Sequence, residues 1–317
     1  MATNQKPSKQ TSNSDLIILL KSGLAGGIAG CVAKTIVSPL DRVKILFQTA
    51  HPQFSHHSGS ITGVFGAIRQ IYSSVGFLGL VQGHSATLLR IFPYAAIKFM
   101  AYDSFHNLLI PVHLRDRPPS SRLFMAGALS GITAVFFTYP LDLLRVRLAF
   151  ETKQGSSRVK ILDTIRDIYT EPAKVGHSAS NRLFNNVPFT KFYRGFTPTL
   201  SGMIPYAGTS FLVWGTLQSK LLPNQRSSNT ILNLLCGSVA GLISQTASYP
   251  FEIVRRKMQI GGLGLSPVMN MSQVARQIFL TDGFKGFFVG LSIGYLKVIP
   301  MTAISFVTWS TLKIRFE

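Results

Sequence analysis

Three times the chain writes a proline, an acid two residues later and a base three beyond that. The strings are Pro39-Leu40-Asp41-Arg42-Val43-Lys44, Pro140-Leu141-Asp142-Leu143-Leu144-Arg145 and Pro250-Phe251-Glu252-Ile253-Val254-Arg255. Acid and base at i and i+3 share a helical face. A proline inside a helix removes one backbone donor and kinks it. One copy alone would give a local pair such as Asp41–Lys44, worth roughly 0.2–0.5 kcal/mol. Three copies allow another arrangement, in which three helices about a pseudo-threefold axis exchange partners. The pairs would be Asp41–Arg145, Asp142–Arg255 and Glu252–Lys44. Such a ring satisfies six ionisable groups that are costly near a membrane unless paired or wet. It also closes a central passage, so a bound solute must help offset its opening.

The elements that carry these motifs are long and apolar. Residues 195–219 and 227–251 run 25 positions each without a charge, and 123–141 runs 19. A helix needs about 20 to cross a bilayer. Segments 16–40, 84–102 and 286–312 are similar but interrupted by cations: Lys21 and Lys34, Arg90 and Lys98, and Lys297. Six such spans in order do not fit one soluble core. Each motif is followed by a short amphipathic segment, Val64-Ala67-Ile68-Ile71, Ile161-Ile165-Ile168 or Val274-Ile278. A glycine (Gly83, Gly195 or Gly290) then opens the next span. The expected fold is therefore an all-α membrane protein: six transmembrane helices in three pseudo-threefold repeats, each with a short amphipathic helix. The repeats are 1–117, 118–225 and 226–317, with polar joins at 115–119 and 223–226 and an extra loop near 171–189. Ser14 or Asp15 is placed to cap the first helix. The polar N-terminus has neither the apolar stretch of a signal peptide nor the Arg-rich pattern of a transit peptide, so targeting is expected to be internal.

Composition agrees with a membrane chain. Of 317 residues, 46% are hydrophobic and 14% charged, yet the net charge is +20. Soluble domains carry about 25% charged residues. Two cysteines, Cys31 and Cys236, make neither a metal cluster nor a disulfide framework and read as small buried hydrophobes. No metal or cofactor is expected. An integral membrane enzyme is disfavoured, because no carboxylate pair, His/Cys cluster or Ser–His arrangement stands out. A nucleic-acid binder ranks last, because the cations interrupt apolar spans instead of clustering with exposed aromatics.

Lys34, Arg90, Lys98 and Lys297 fall near mid-span by motif alignment. Each could snorkel to a headgroup, but cations facing a wet cavity call for an anionic solute, and phosphates suit Arg and Lys. The corresponding part of the fourth span, Ser201-Gly202-Met203-Ile204-Pro205-Tyr206, has no cation. Gly202-Met203 reads either as an apolar slot or as a helix-packing site. Gly83, Gly195 and Gly290 expose helix-opening N–H groups able to hold a lipid phosphate.

All three repeats resemble the mitochondrial carrier family, whose signature is Pro-x-[Asp/Glu]-x-x-[Lys/Arg] followed by an aromatic, a base and glycine. The resemblance implies a monomeric bundle in the inner mitochondrial membrane, with cardiolipin as its lipid and both termini toward the intermembrane space. A single central site would alternate between the two sides. The ring then corresponds to the family's matrix gate, with Gln48 and Gln259 as its braces and Ala149 in the place of a third. The second, cytoplasmic gate would involve Tyr102, Asp103, Gln218 and Lys313, where only one acid remains, which implies a weak outer gate. The substrate contacts would be Lys34, Arg90, Tyr94, Lys98, Gly202, Met203, Tyr206 and Lys297. Arg90-Ile91-Phe92-Pro93-Tyr94 and Gly202-Met203-Ile204-Pro205-Tyr206 are most similar to the coenzyme A carrier and Graves-disease-carrier branch. The expected solute is coenzyme A or another adenine-containing polyphosphate.

Overall fold

Proline and glycine punctuate the chain at matching places, and the helices follow that punctuation. The computed structural model describes residues 13–57, 60–111, 119–152, 161–171, 188–221, 230–263 and 268–316. Six long helices appear: α1 (Asn13–Gln48), α4 (His84–Leu109), α5 (Ser120–Phe150), α7 (Phe196–Leu221), α8 (Thr230–Ile260) and α10 (Leu291–Phe316). Four shorter ones join them: α2 (Ile61–Val75), α3 (Phe77–Leu80), α6 (Ile161–Thr170) and α9 (Met271–Asp282). Among the described residues there is no strand. Even 26 residues, the shortest long helix, span about 39 Å at 1.5 Å per residue, more than the roughly 30 Å hydrocarbon core. The second polar join, the first up to residue 118 and most of the extra loop lie outside the described residues. Ser14 and Asp15 lie inside α1, which is described from Asn13, and their side chains lie outside the described residues.

The part of α1 up to Val37 groups with the last helix from Lys297 onward, while Ser38–Leu296 form a second compact unit. Within the second unit α4 packs on α5 and α7 on α8. The short helices sit on it through their apolar faces. Val64, Ala67 and Ile71 of α2 are buried, as are Ile168 of α6 and Val274 and Ile278 of α9. Ser60 Oγ accepts from Thr62 N to start α2, and a capping box of Asn270 with Gln273 starts α9.

The long helices also turn apolar side chains outward at helical spacing. Ile28, Val32 and Ile36 are exposed on α1, Leu235, Val239 and Ile243 on α8, and Ile299, Phe306 and Val307 on α10. A water-soluble surface would not carry such stripes on helix after helix, whereas lipid tails accept them. Among the described residues, Ser121–Phe150 and Phe284–Leu312 pass as membrane spans on length and composition alone. The other long helices are diluted by cations and motif charges or, in the case of α7, by its Gly, Ser, Thr and Pro. Cys236 is buried, whereas Cys31 is half-buried, which corrects its reading as a core residue.

Pro39, Pro140 and Pro250 lie inside α1, α5 and α8 without ending them. Pro93, Pro205 and Pro300 lie inside α4, α7 and α10, each ten residues after the opening glycine, a regularity the sequence reading passed over. Those glycines have left-handed backbones, with φ of 83°, 82° and 79° at Gly83, Gly195 and Gly290. A Cβ at Gly83 would lie 2.8 Å from Arg145 O, and one at Gly195 would lie 3.0 Å from Arg255 O. The glycines therefore let each repeat close against the next motif helix, a steric role beside the lipid role expected for them. Replacing Gly195 with alanine should cost about 1–3 kcal/mol for the strained conformation alone. Gly208→Ala, in open space, should be neutral or stabilise by up to about 1 kcal/mol. Thermal unfolding in detergent checks this. The Gly195 loss should appear with and without cardiolipin, and a loss seen only with cardiolipin would assign the glycine to the lipid instead.

Candidate functional site: a ring of ion pairs and its braces

The three motif helices place their acids and bases at one level, and each base reaches the acid of another repeat. Arg145 Nη2 lies 2.8 Å from Asp41 Oδ2, Arg255 Nη2 lies 2.5 Å from Asp142 Oδ2, and Lys44 Nζ lies 2.9 Å from Glu252 Oε1. The structure thus brings together all six motif charges, across the chain and not locally. Bonds between ionised partners of this kind are the strong ones. Pairs with so little exposed surface are costly to break from one side, roughly 3–5 kcal/mol.

Two of the pairs are reinforced. Gln48 Nε2 donates to Glu252 Oε1 at 3.1 Å and to Tyr249 Oη at 3.0 Å. Gln259 Nε2 does the same for Asp142 Oδ2 at 2.9 Å and Tyr139 Oη at 3.2 Å. Each tyrosine hydroxyl in turn donates a hydrogen bond to a backbone carbonyl beside an opening glycine: Tyr139 to Arg194 O, and Tyr249 to Val289 O. Lys44 lies over the Tyr249 ring and Arg255 over Tyr139. These hydroxyls were absent from the sequence reading, although Tyr139-Pro140 and Tyr249-Pro250 stood in the quoted motifs. The Asp41–Arg145 pair has neither support. Ser38 stands where the tyrosines are, and its buried Oγ has no hydrogen-bond partner. Ala149 stands where the glutamines are.

Asp142 gathers the most charge. Besides Arg255, it is reached by Arg90 Nη1 at 3.2 Å and Arg256 Nη1 at 3.4 Å, and it is 1% exposed. Arg90 also lies over the Tyr94 ring, 5.2 Å from its centroid. The cation expected to meet solute is therefore also a ligand of the ring.

The remaining candidates are more dispersed. Lys98 is exposed, and Lys34 and Lys297 are half-buried. A Cβ at Gly202 would sit 2.9 Å from Phe251 Cβ, so this glycine permits close packing of α7 on α8, one of the two roles its spacing allowed. Met203 Cε approaches Gly131 on α5, and Tyr206 is exposed. At the other end of α4 the Tyr102 and His106 rings are 5.8 Å apart, while Asp103 and Gln218 are exposed. The Lys313 side chain lies outside the described residues. Among the described residues no group of His, Cys, Asp and Glu could hold a metal ion.

A family profile described as "Mitochondrial carrier protein" matches three consecutive stretches, residues 18–113, 116–225 and 226–317. The chain belongs to the mitochondrial carrier family. It is 43% identical to "Mitochondrial carrier protein LEU5" of Saccharomyces cerevisiae, over 99% of this chain and 94% of the yeast protein. It is 43% identical to human "Solute carrier family 25 member 16", over 94% of this chain and 89% of the human protein. It is 36% identical to "Mitochondrial carrier protein CoAc2" of Zea mays, over 99% and 92%. The chain is accordingly a multi-pass solute carrier of the inner mitochondrial membrane, moving an anionic solute, and a transporter in place of an enzyme.

The Asp41–Arg145 pair lacks the glutamine that the other two pairs have. Ala149→Gln should supply the missing amide, raise the melting temperature by roughly 2–4 °C for about 1 kcal/mol, and slow exchange in proteoliposomes. Unchanged stability with unchanged rate would show that the braces do not hold the ring closed.

Proposed function

We propose that this carrier exchanges coenzyme A, or a close adenine-containing polyphosphate, across the inner membrane by alternating access. The observation that carries the reading is the double engagement of Arg90, which faces Tyr94 and bonds Asp142. A phosphate that takes Arg90 withdraws one cation from the most heavily bridged acid of the ring. Solute binding and loosening of the ring are then one event, which is what a carrier needs if empty and loaded forms are to behave differently. Lys34, Lys98 and Lys297 supply further positive charge for a solute with several phosphates. Met203 and Tyr206 offer apolar and aromatic surface to a base, with Gly202 keeping α7 close to its neighbour.

In this reading the ring is the matrix gate, and with its three pairs made, the described state is closed on that side. The set Tyr102, Asp103, Gln218 and Lys313 contains one acid, so the cytoplasmic gate is weak and the resting carrier stands open toward the intermembrane space. Both termini face that compartment, each of the three repeats contributes two spans, and the working unit is a monomer with cardiolipin at its periphery. Equal outer labelling of single-cysteine variants with and without solute would contradict this resting state. ATP, ADP and adenosine 3′,5′-bisphosphate are the competing solutes, since they share the base and the charge.

Proteoliposomes loaded with unlabelled solute decide among them. Uptake of labelled coenzyme A should exceed that of ATP or adenosine 3′,5′-bisphosphate, and Arg90→Gln should reduce it by about tenfold or more, the value of one charge-assisted contact. Faster exchange of ATP than of coenzyme A would replace the proposed solute. Full uptake by Arg90→Gln would remove Arg90 from the path.

A further inference from the structure

α5 and α8 end alike, but only one of the two arginines that reach those ends has an ion-pair partner among the described residues. Each receives a guanidinium from the repeat before it. Arg147 donates through Nε to Gln259 O at 3.2 Å and through Nη2 to Gly261 O at 3.3 Å. Arg42 donates through Nε to Ala149 O at 3.2 Å and through Nη2 to Glu151 O at 3.0 Å. The two sets of carbonyls are 110 residues apart, as are Pro140 and Pro250, so the arginines serve equivalent places. The last carbonyls of a helix welcome a cation.

Arg147 is neutralised. Glu171 Oε1 lies 2.5 Å from its Nη1, and the other carboxylate oxygen of Glu171 pairs with Arg194. The third repeat has its own base–acid pair, Lys257 with Asp282 at 3.4 Å. Arg42 has no such partner. It is 2% exposed, it forms no ion pair among the described residues, and its Nη1 is buried without a hydrogen bond. A buried guanidinium left uncompensated is costly. Its field reaches His51, whose pKa is lowered by burial and by the Arg42 charge.

Glu171 lies three residues beyond the buried Ile168, and the matching step beyond buried Ile71 arrives at Ser74. At that place there is a cavity of about 180 Å³ lined by Arg42, Gln53, Gln70, Ser74 and Thr152, with Phe54 among its apolar walls. That is room for about six waters at ~30 Å³ each, or for a tetrahedral oxyanion with water. The two amide oxygens are already engaged, Gln53 Oε1 by Thr152 and Gln70 Oε1 by His57. The amide nitrogens are left as donors, and no carboxylate is among the described residues that line the cavity.

We propose that this cavity is an anion site, in which a phosphate group supplies to Arg42 the negative charge that Glu171 supplies to Arg147. The phosphate is the headgroup of an acidic phospholipid or a soluble phosphate anion. The site stands apart from Arg90 and does not depend on the solute proposed above.

The test is thermal unfolding of the purified full-length chain in two arms. One adds inorganic phosphate against chloride at equal ionic strength in neutral detergent. The other compares nanodiscs of phosphatidylcholine with nanodiscs that also contain phosphatidylglycerol. The wild type should gain roughly 2–4 °C in at least one arm, with phosphate alone sufficing for a soluble anion and phosphatidylglycerol required for a headgroup. Ser74→Glu places a carboxylate in the cavity. It should melt higher than the wild type without either anion and gain nothing further from them. Arg90→Gln should keep the full response, which separates this site from the solute path. Arg42→Gln should lose it, and if that variant does not fold, Ser74→Glu still decides. A wild type that responds in neither arm, or a Ser74→Glu variant that responds as the wild type does, would overturn the proposal.

Discussion

The structure depends on charges that cannot be left alone. Six motif side chains from three helices sit where water is scarce, and each is tolerated only because another repeat supplies its partner. Lys44 needs Glu252, Arg145 needs Asp41, and Arg255 needs Asp142. Each of the three pairs joins two repeats. The Ser38–Leu296 unit is tied across its own symmetry by this requirement, and the glycine turns and braces accommodate it. Gly83 and Gly195 let the next motif helix come close enough for the pairs to meet.

The same logic bears on the gate role proposed for the ring. A pair of charges that could move into water, or onto a phosphate, has an alternative partner; a packed leucine has none. Asp142 illustrates this, since three arginines compete for one carboxylate and one of them, Arg90, stands among the cations assigned to solute. The three pairs are also unequal. Tyrosine and glutamine support two of them, and the third has Ser38 and Ala149. If the ring is the gate proposed above, this departure from threefold symmetry would give its opening an order.

Much of this was legible in the residues. Six spans, their pairing into repeats and the exchange of partners followed from three copies of one motif, and the missing amide at Ala149 could be read by alignment. Other features were not, for stated physical reasons. Arg90 reaches Asp142 only because of how α4 is rotated against α5, which spacing along one helix does not fix. The capping of α5 by Arg42 joins residues more than a hundred positions apart through backbone carbonyls, which carry no side-chain signature. Glu171 looked like the edge of an inserted loop, yet it is the acid between Arg147 and Arg194. Gly202 was read as either slot or packing, and only the Phe251 contact favours packing.

The central claim is that the charges pair between repeats and that these pairs hold the carrier closed. Charge reversal measures this most directly. In proteoliposomes, Asp41→Arg alone and Arg145→Asp alone should each abolish exchange and lower thermal stability, while the double reversal, which restores the pair with its polarity inverted, should recover both. Two single variants whose defects merely add in the double variant, with the protein folded throughout, would contradict the account.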